Sequence, residues 1–364
     1  MIVFFIIILV LTAIVYLFIQ QPQFGSLPSG ERMERIEKSP NYKNGQFQNL
    51  TNTPALTEGV SYTGVMREFF FGKSKRGTPV DPLPSKKTDL FHLNPEKDVL
   101  VWFGHSSYFM QLDGKKFLVD PVLSGNASPL KFTTRSFKGS DVYTTDDIPP
   151  VDYLFISHDH YDHLDHQSIV LLKSKVGKVI TGLGVGAHLE RWGYDVNIII
   201  EKDWNEELIL DKGFVVNTTP ARHFSGRGFK RNGSLWLSFV LTTPSNKIFI
   251  GGDSGFDTHF TTIGNQYGPF DLVILENGQY NQNWKYIHMM PEEVVQAAKD
   301  LKAKKLFPVH WSKFSLAIHA WDEPMIRLST EAKRKGMPVV HPMIGEAVYL
   351  KETVSSTAWW EGVR

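Results

Sequence analysis

This chain predicts a layered α/β fold preceded by an apolar helix and an extended arm, and three observations carry that expectation. Short strand-like runs alternate with helix-like runs over most of the 364 residues. Several of those strands stop directly at a His or an Asp. Residues 1–19 carry no charged side chain and are almost wholly apolar.

At about 1.5 Å per residue, a helix over that first segment spans roughly the hydrocarbon of a bilayer. A cleaved secretory signal has a basic start, a shorter apolar stretch and small residues at its cleavage point. Here no Lys or Arg precedes the run, and Gln20-Gln21-Pro22-Gln23-Phe24 follows it. Residues 1–20 therefore read as an uncleaved, single-pass membrane anchor. A buried core helix is disfavoured because the run has no polar face. Arg32, Arg35 and Lys38 tilt the orientation slightly toward a cytoplasmic body, although Glu31, Glu34 and Glu37 are mixed among them.

Residues 21–98 are rich in Pro, Gly, Asn, Ser and Thr. They read as an extended arm with short helices that wraps the body. Within it, Phe69-Phe70-Phe71 and the nearby Val65-Met66 read as a patch docked on the body, in preference to a membrane-facing rim. Residues 99–364 read as the folded body. Strands are expected at Val99–Phe103, Tyr108–Leu112 and Lys116–Val119, with Asp113-Gly114 turning the last two into a hairpin. Val151–Ile156 is a buried-strand pattern, His166–Lys175 a helix and Lys178–Thr181 a strand. Further strands are expected at Phe214–Thr218, Leu235–Thr242, Lys247–Ile250, Asp271–Leu275 and Leu306–Val309. A helix is expected at Pro291–Lys299, with Pro in its first turn, acids next and Lys toward its end.

Net charge is +1 at pH 7, so nothing global points to nucleic acid. There is no cysteine, which excludes disulfides, thiolate metal sites and cysteine nucleophiles. A bound metal must be held by His, Asp or Glu. The chain has 13 His, and their clustering matters more than their number. Ser157-His158-Asp159-His160-Tyr161-Asp162-His163 places three imidazoles and two carboxylates directly after the Val151–Ile156 strand. That mixture suits zinc, iron or manganese. His223, Asp253 (in Gly251-Gly252-Asp253-Ser254-Gly255) and His310 each follow another strand. Any one of them alone reads as structural; their joint occurrence in chain order points to one metal centre.

The order His-x-His-x-Asp-His, then His, Asp and His, resembles the metallo-β-lactamase superfamily over about residues 99–350. The resemblance implies an αβ/βα four-layer sandwich with two divalent metal ions, zinc by default, at one edge of the sheets. It implies that His158, His160 and His223 hold one ion, that Asp162, His163 and His310 hold the other, and that Asp253 bridges them. Phe103-Gly104-His105-Ser106-Ser107, Val119-Asp120-Pro121-Val122-Leu123-Ser124, the His-x-His-Tyr-Asp-His-Leu-Asp run, Tyr286-Ile287-His288-Met289-Met290-Pro291-Glu292-Glu293 and Val309-His310-Trp311 are similar to the N-acylphosphatidylethanolamine-hydrolysing phospholipase D family and its bacterial relatives. Pro22-Gln23-Phe24-Gly25 and Ser39-Pro40-Asn41-Tyr42 match the arm of those relatives. This resemblance implies a phosphodiesterase that attacks a phospholipid through a metal-bridged hydroxide, since metal coordination lowers the pKa of water to about 7.

Other residues take supporting expectations. His288 contacts phosphate or protonates the leaving group. Asp159 orients a ligand imidazole through its other nitrogen. His105, Trp311 and His319 line the pocket or support the ligands from behind, and Asp165 and His166 support the site or cap the next helix. His92, His188, His259 and His341 fall to packing or surface positions. A lactonase similar to L-ascorbate-6-phosphate lactonase is the alternative, with a polar phosphate pocket as its signature. A non-catalytic membrane protein is disfavoured because every ligand position is competent. A diiron redox enzyme is disfavoured because His160 stands where the flavodiiron pattern has Glu.

Overall fold

The computed structural model describes residues 1–72, 74–352 and 357–364. The arm region contributes α1 (Ile2–Ile19), α2 (Gly30–Glu37), the short hairpin β1 (Tyr42–Lys43) and β2 (Gln46–Phe47), and α3 (Tyr62–Phe71). The body begins with β3 (Val99–Trp102), β4 (Tyr108–Leu112), β5 (Lys115–Val119), β6 (Val151–Ile156), α4 (His166–Leu172), β7 (Val176–Gly182), α5 (Gly186–Arg191) and β8 (Ile199–Lys202). Its second half holds β9 (Glu207–Asp211), β10 (Phe214–Thr219), β11 (Ser238–Thr242), β12 (Lys247–Ile250), α6 (His259–Gln266), β13 (Leu272–Glu276), α7 (Pro291–Asp300), β14 (Leu306–Val309), α8 (Glu323–Lys335) and β15 (Ala347–Tyr349).

Two sheets result, ordered β15-β3-β4-β5-β6-β7-β8 and β14-β13-β12-β11-β10-β9. In the first, β5 to β8 are parallel; in the second, β12 to β14 are parallel. The period-two alternation of side chains explains the layering. On β6, Tyr153 and Phe155 join the core shared with the second sheet, while Leu154 and Ile156 join the cluster under α4 and α5. Phe117 and Leu118 of β5 divide the same way. Phe155 meets Phe239 of β11 at 4.9 Å, which locks sheet to sheet. Val294, Val295, Ala297 and Ala298 of α7 are buried in the same core cluster. These layers are the expected four-layer α/β arrangement.

Ligand-capable residues collect at one edge because β6, β10, β12, β13 and β14 all end there. Val273 to Glu276 of β13 pair in parallel with Leu306 to Val309 of β14, so Glu276 and His310 emerge side by side.

Two sequence expectations are corrected. The strand expected from Leu235 begins at Ser238. Leu235 and Leu237 instead donate their N–H groups to Leu183 O and Ser157 O of the first half, at 2.8 and 3.1 Å. The aromatic patch expected to dock does so only in part, since Val65 and Phe69 are half-buried. No α3 residue is buried, and Phe70 and Phe71 are 69% and 87% exposed. Polar contacts also tether α3, including Asn283 Nδ2 to Glu68 Oε2 at 2.5 Å, while Tyr62, Met66, Phe70 and Phe71 face outward. Residues of α1 are likewise unburied.

Candidate metal centre

The loop after β6 is held by Asp120, at the end of β5. Asp120 Oδ1 accepts from Ser157 N at 2.8 Å, and Oδ2 accepts from Ser157 Oγ at 2.6 Å. His163 Nδ1 lies 2.8 Å from the same Oδ2, which turns His163 Nε2 toward Asp253 Oδ2, 3.1 Å away. His310 follows β14 in a left-handed conformation (φ 68°), and its Nδ1 comes within 2.9 Å of Ser106 Oγ.

All seven expected ligand residues converge. His160 Nδ1 lies 2.9 Å from His158 Nε2 and 3.2 Å from His223 Nε2. Asp162 Oδ2 lies 3.6 Å from His163 Nε2 and 4.0 Å from His310 Nε2. Asp253 stands between these groups, with Oδ2 3.7 Å from His223 Nε2 and 3.9 Å from His158 Nε2.

The electrostatics suit cations. Burial, reinforced by neighbouring imidazoles against the pull of Asp253, holds His158, His223 and His310 well below the usual histidine range. Neutral imidazoles are the form that ligates metal. Burial also acts on His163, but Asp253, Asp162 and Asp120 outweigh it and hold its proton. Asp253 and Asp162 stay ionised despite burial because His163 leads the charges that face them. Ring nitrogens face ring nitrogens, and buried Asp253 Oδ1 has no hydrogen-bond partner among the described residues, although His310 Nδ1 lies 3.2 Å away. Converging lone pairs of this kind are satisfied by divalent cations.

A family model described as the beta-lactamase superfamily domain matches residues 115–311. The chain belongs to the metallo-β-lactamase superfamily. It is similar to an uncharacterized protein of Mycobacterium tuberculosis, 37% identical over 328 residues, 89% of this chain and 88% of that protein. It is also similar to N-acyl-phosphatidylethanolamine-hydrolyzing phospholipase D 1 of Caenorhabditis elegans, 31% identical over 233 residues, 59% of this chain and 64% of that one. Among solved structures, a metallo hydrolase of Ignicoccus hospitalis superposes with a TM-score of 0.54 at 20% identity, covering 69% of this chain and 97% of its own. The chain is a metal-dependent hydrolase of this superfamily.

In this metallo-β-lactamase fold the mouth of the centre is a cavity of about 270 Å³. Leu56, Phe224, Trp284, Ile287 and Leu316 line it beside His160, Asp162, His223, Asp253, His288 and His310. His288 Nδ1 lies 3.1 Å from Glu276 Oε2, and Met289 N donates to Glu276 Oε1 at 2.7 Å. Burial raises the Glu276 carboxyl while His288 opposes it. Burial would lower His288, but Glu276 overrides it and raises it. Sequence reasoning gave Glu276 no role; its signal was a single acid closing the apolar run Leu272–Leu275.

Three supporting expectations, for Asp159, Trp311 and His319, are corrected. Asp159 reaches no ligand imidazole: Gly226 N and Ser234 Oγ donate to its carboxylate at 2.7 and 2.8 Å, and its imidazole neighbour is His188, at 3.2 Å. Asp120 does the orienting instead. Trp311 lies beneath the site, stacked on Trp102 at 5.5 Å and 1% exposed. His105, by contrast, touches an expected ligand directly: it is fully buried behind the site, with Nε2 2.9 Å from Asp162 Oδ2. His319 stacks on Tyr280 at 4.5 Å and accepts from the N–H of Gln279, which places it directly behind that mouth-lining residue and not in the mouth. Asp165 does cap α4, accepting from Gln167 N and Ser168 N, and His166 packs on Trp192. His92 is exposed, and His259 packs beside Ser254 at 3.1 Å.

Proposed function

We propose that the chain is a membrane-anchored phosphodiesterase of phospholipase D type. It hydrolyses N-acylphosphatidylethanolamine to phosphatidic acid and N-acylethanolamine, with two divalent ions, zinc in preference, in the metal centre. The observation that carries this reading is the apolar mouth. Leu56, Phe224, Trp284, Ile287 and Leu316 suit acyl and glycerol portions of a lipid. A lactonase for a small phosphorylated substrate would need cations around the phosphate, and no Lys or Arg is among the described residues lining the cavity; Arg231, over the Phe224 ring at 4.5 Å, is not one of them. The Caenorhabditis elegans relative and the apolar α1 support the same choice.

His158, His160 and His223 would hold one ion, Asp162, His163 and His310 the other, and Asp253 both. Ions bound there supply Lewis acidity toward phosphoryl oxygens and lower the pKa of water to about 7. The chain supplies orientation and a proton. Asp120 and the Ile287 carbonyl, 2.9 Å from His223 Nδ1, fix which nitrogens His163 and His223 present. Glu276 holds His288 Nδ1, so that Nε2 faces the mouth and protonates the departing oxygen of the N-acylethanolamine.

The test is detergent-solubilised protein with its metals quantified, incubated with N-acylphosphatidylethanolamine, both products followed by mass spectrometry. Release of both products, lost in Asp253→Asn together with bound metal, is expected. Metal-loaded protein that leaves the lipid intact sinks the substrate and sends the search to lactones and soluble phosphodiesters.

A further inference from the structure

The base of α1 is docked against the metal loop. Arg227 is buried, and its guanidinium donates to Gln23 O at 2.8 and 3.1 Å on one side. On the other it donates to Asp159 O and Leu164 O, both at 2.7 Å. Tyr161 and Trp192 flank it at 4.1 and 5.2 Å. Trp192 Nε1 donates to Pro22 O at 2.8 Å. Gly25, with φ 70°, packs so tightly that a Cβ would collide with the His188 ring.

Two clefts flank this base. One, of about 1030 Å³, lies between Phe18 in the last turn of α1 and the loop of residues 124–135. The other, of about 350 Å³, lies between Ile19 and the loop of residues 226–233. Each loop holds one phenylalanine in solvent: Phe132 is 70% exposed and Phe229 is 82% exposed. Each sets exposed cations beside it, Lys131 and Arg135 in the first, Lys230 and Arg231 in the second. None of these cations is ion-paired among the described residues. The acids in the larger cleft are already engaged. Asp141 pairs with Lys313 at 3.3 Å, and Asp165 caps α4. The second loop also reaches the mouth of the metal centre, because Arg231 covers the Phe224 ring at 4.5 Å.

Exposed rings beside unpaired cations, on both sides of an apolar helix where it leaves the body, have the chemistry of a bilayer interface. Cations meet headgroup phosphates, and rings settle at interfacial depth. We propose that residues 124–135 and 226–233, with the base of α1, form a docking surface for an anionic phospholipid bilayer, which brings the mouth of the metal centre against the lipid. This rests on α1 spanning the membrane, as read above.

The chain has no cysteine, so full-length F132C and F229C variants each take one environment-sensitive thiol probe. K212C supplies the reference, because Lys212 lies in the turn before β10, at the opposite end of that strand from the metal centre. Each protein is reconstituted into phosphatidylcholine vesicles, with or without phosphatidylglycerol, that carry shallow nitroxide-labelled lipid. Insertion of α1 is checked by resistance to carbonate extraction. At positions 132 and 229, quenching at least ~2-fold above the reference is expected with phosphatidylglycerol present. Charge reversal in K131E/R135E or K230E/R231E should return the adjacent probe to the reference. Equal quenching at all three positions in inserted protein overturns the surface, as does quenching indifferent to both phosphatidylglycerol and charge reversal. Carbonate-extractable protein sinks the anchor and this surface with it. Hydrolysis of N-acylphosphatidylethanolamine, measured on the same vesicles, separates the two readings. Quenching without hydrolysis sinks the substrate alone, and hydrolysis without quenching sinks the surface alone.

Discussion

Asp120 shapes the metal centre without belonging to the expected ligand set. Its backbone is left-handed, φ 41°, a conformation costly for a residue with a side chain. That turn brings its carboxylate under Ser157 and His163. Asp120→Asn replaces one acceptor oxygen with an amide donor, which cannot serve both partners. The expected outcome is a loss of about 10–100-fold in metal affinity or turnover, read by metal titration and by kcat; unchanged values would remove Asp120 from the site. The candidate ligand residues were legible because they cluster locally or close apolar runs. Their orienters were not. Asp120 lies 37 positions from Ser157, and nothing in the local sequence pairs them. Asp159 shows the reverse error. Adjacency to two histidines suggested an orienting role, but its side chain points to Gly226 and Ser234. Adjacent residues in an extended loop face opposite ways, so proximity in sequence misleads there.

Strands β3 to β7 and β12 to β14 were readable because continuous apolar runs bounded by turns leave few alternatives. β8 and β9 were missed because most of their positions are half-exposed or exposed, and α5 and α8 because each buries only one or two large apolar side chains. The arm carries no periodic signal, yet it reaches the site. Asn49 Oδ1 accepts from His223 N at 3.1 Å and from Trp236 Nε1 at 3.0 Å, and its Nδ2 donates to His223 O at 2.7 Å. Asn49→Ala leaves buried polar groups unpaired and should cost about 1–3 kcal/mol, measured by urea unfolding. It should also weaken metal binding at His223, seen as a lower metal content after mild chelation; full retention of metal would confine Asn49 to stability. For α3, the sequence registered an apolar face but could not say what medium it meets. An aromatic triplet reads the same whether it packs on protein or on another apolar phase.

Several buried histidines make the folded molecule acid-labile. Burial holds His259 down to about 4, with Asp257 opposing and Arg222 assisting. The unfolded value is about 6.5. Between those two values the unfolded chain binds the extra proton, so stability is fully present above about pH 6.5 and falls as pH drops toward 4. This one group accounts for roughly 3 kcal/mol across that window. In metal-free protein, His158, His223 and His310 act in the same direction, while His163, held protonated, acts in the other. His259→Asn should flatten the pH dependence of urea unfolding by about one proton; parallel slopes for variant and parent would show that His259 does not titrate with unfolding. The Arg227 clamp has a consequence for kinetics. It ties Gln23 to the metal loop without slack, so with α1 in a bilayer the mouth is held at a fixed height over the lipid. Encounters then occur in two dimensions. For the proposed phospholipid substrate, turnover should follow its surface mole fraction: blending in inert lipid should slow it, whereas diluting the same vesicles with buffer should leave it unchanged.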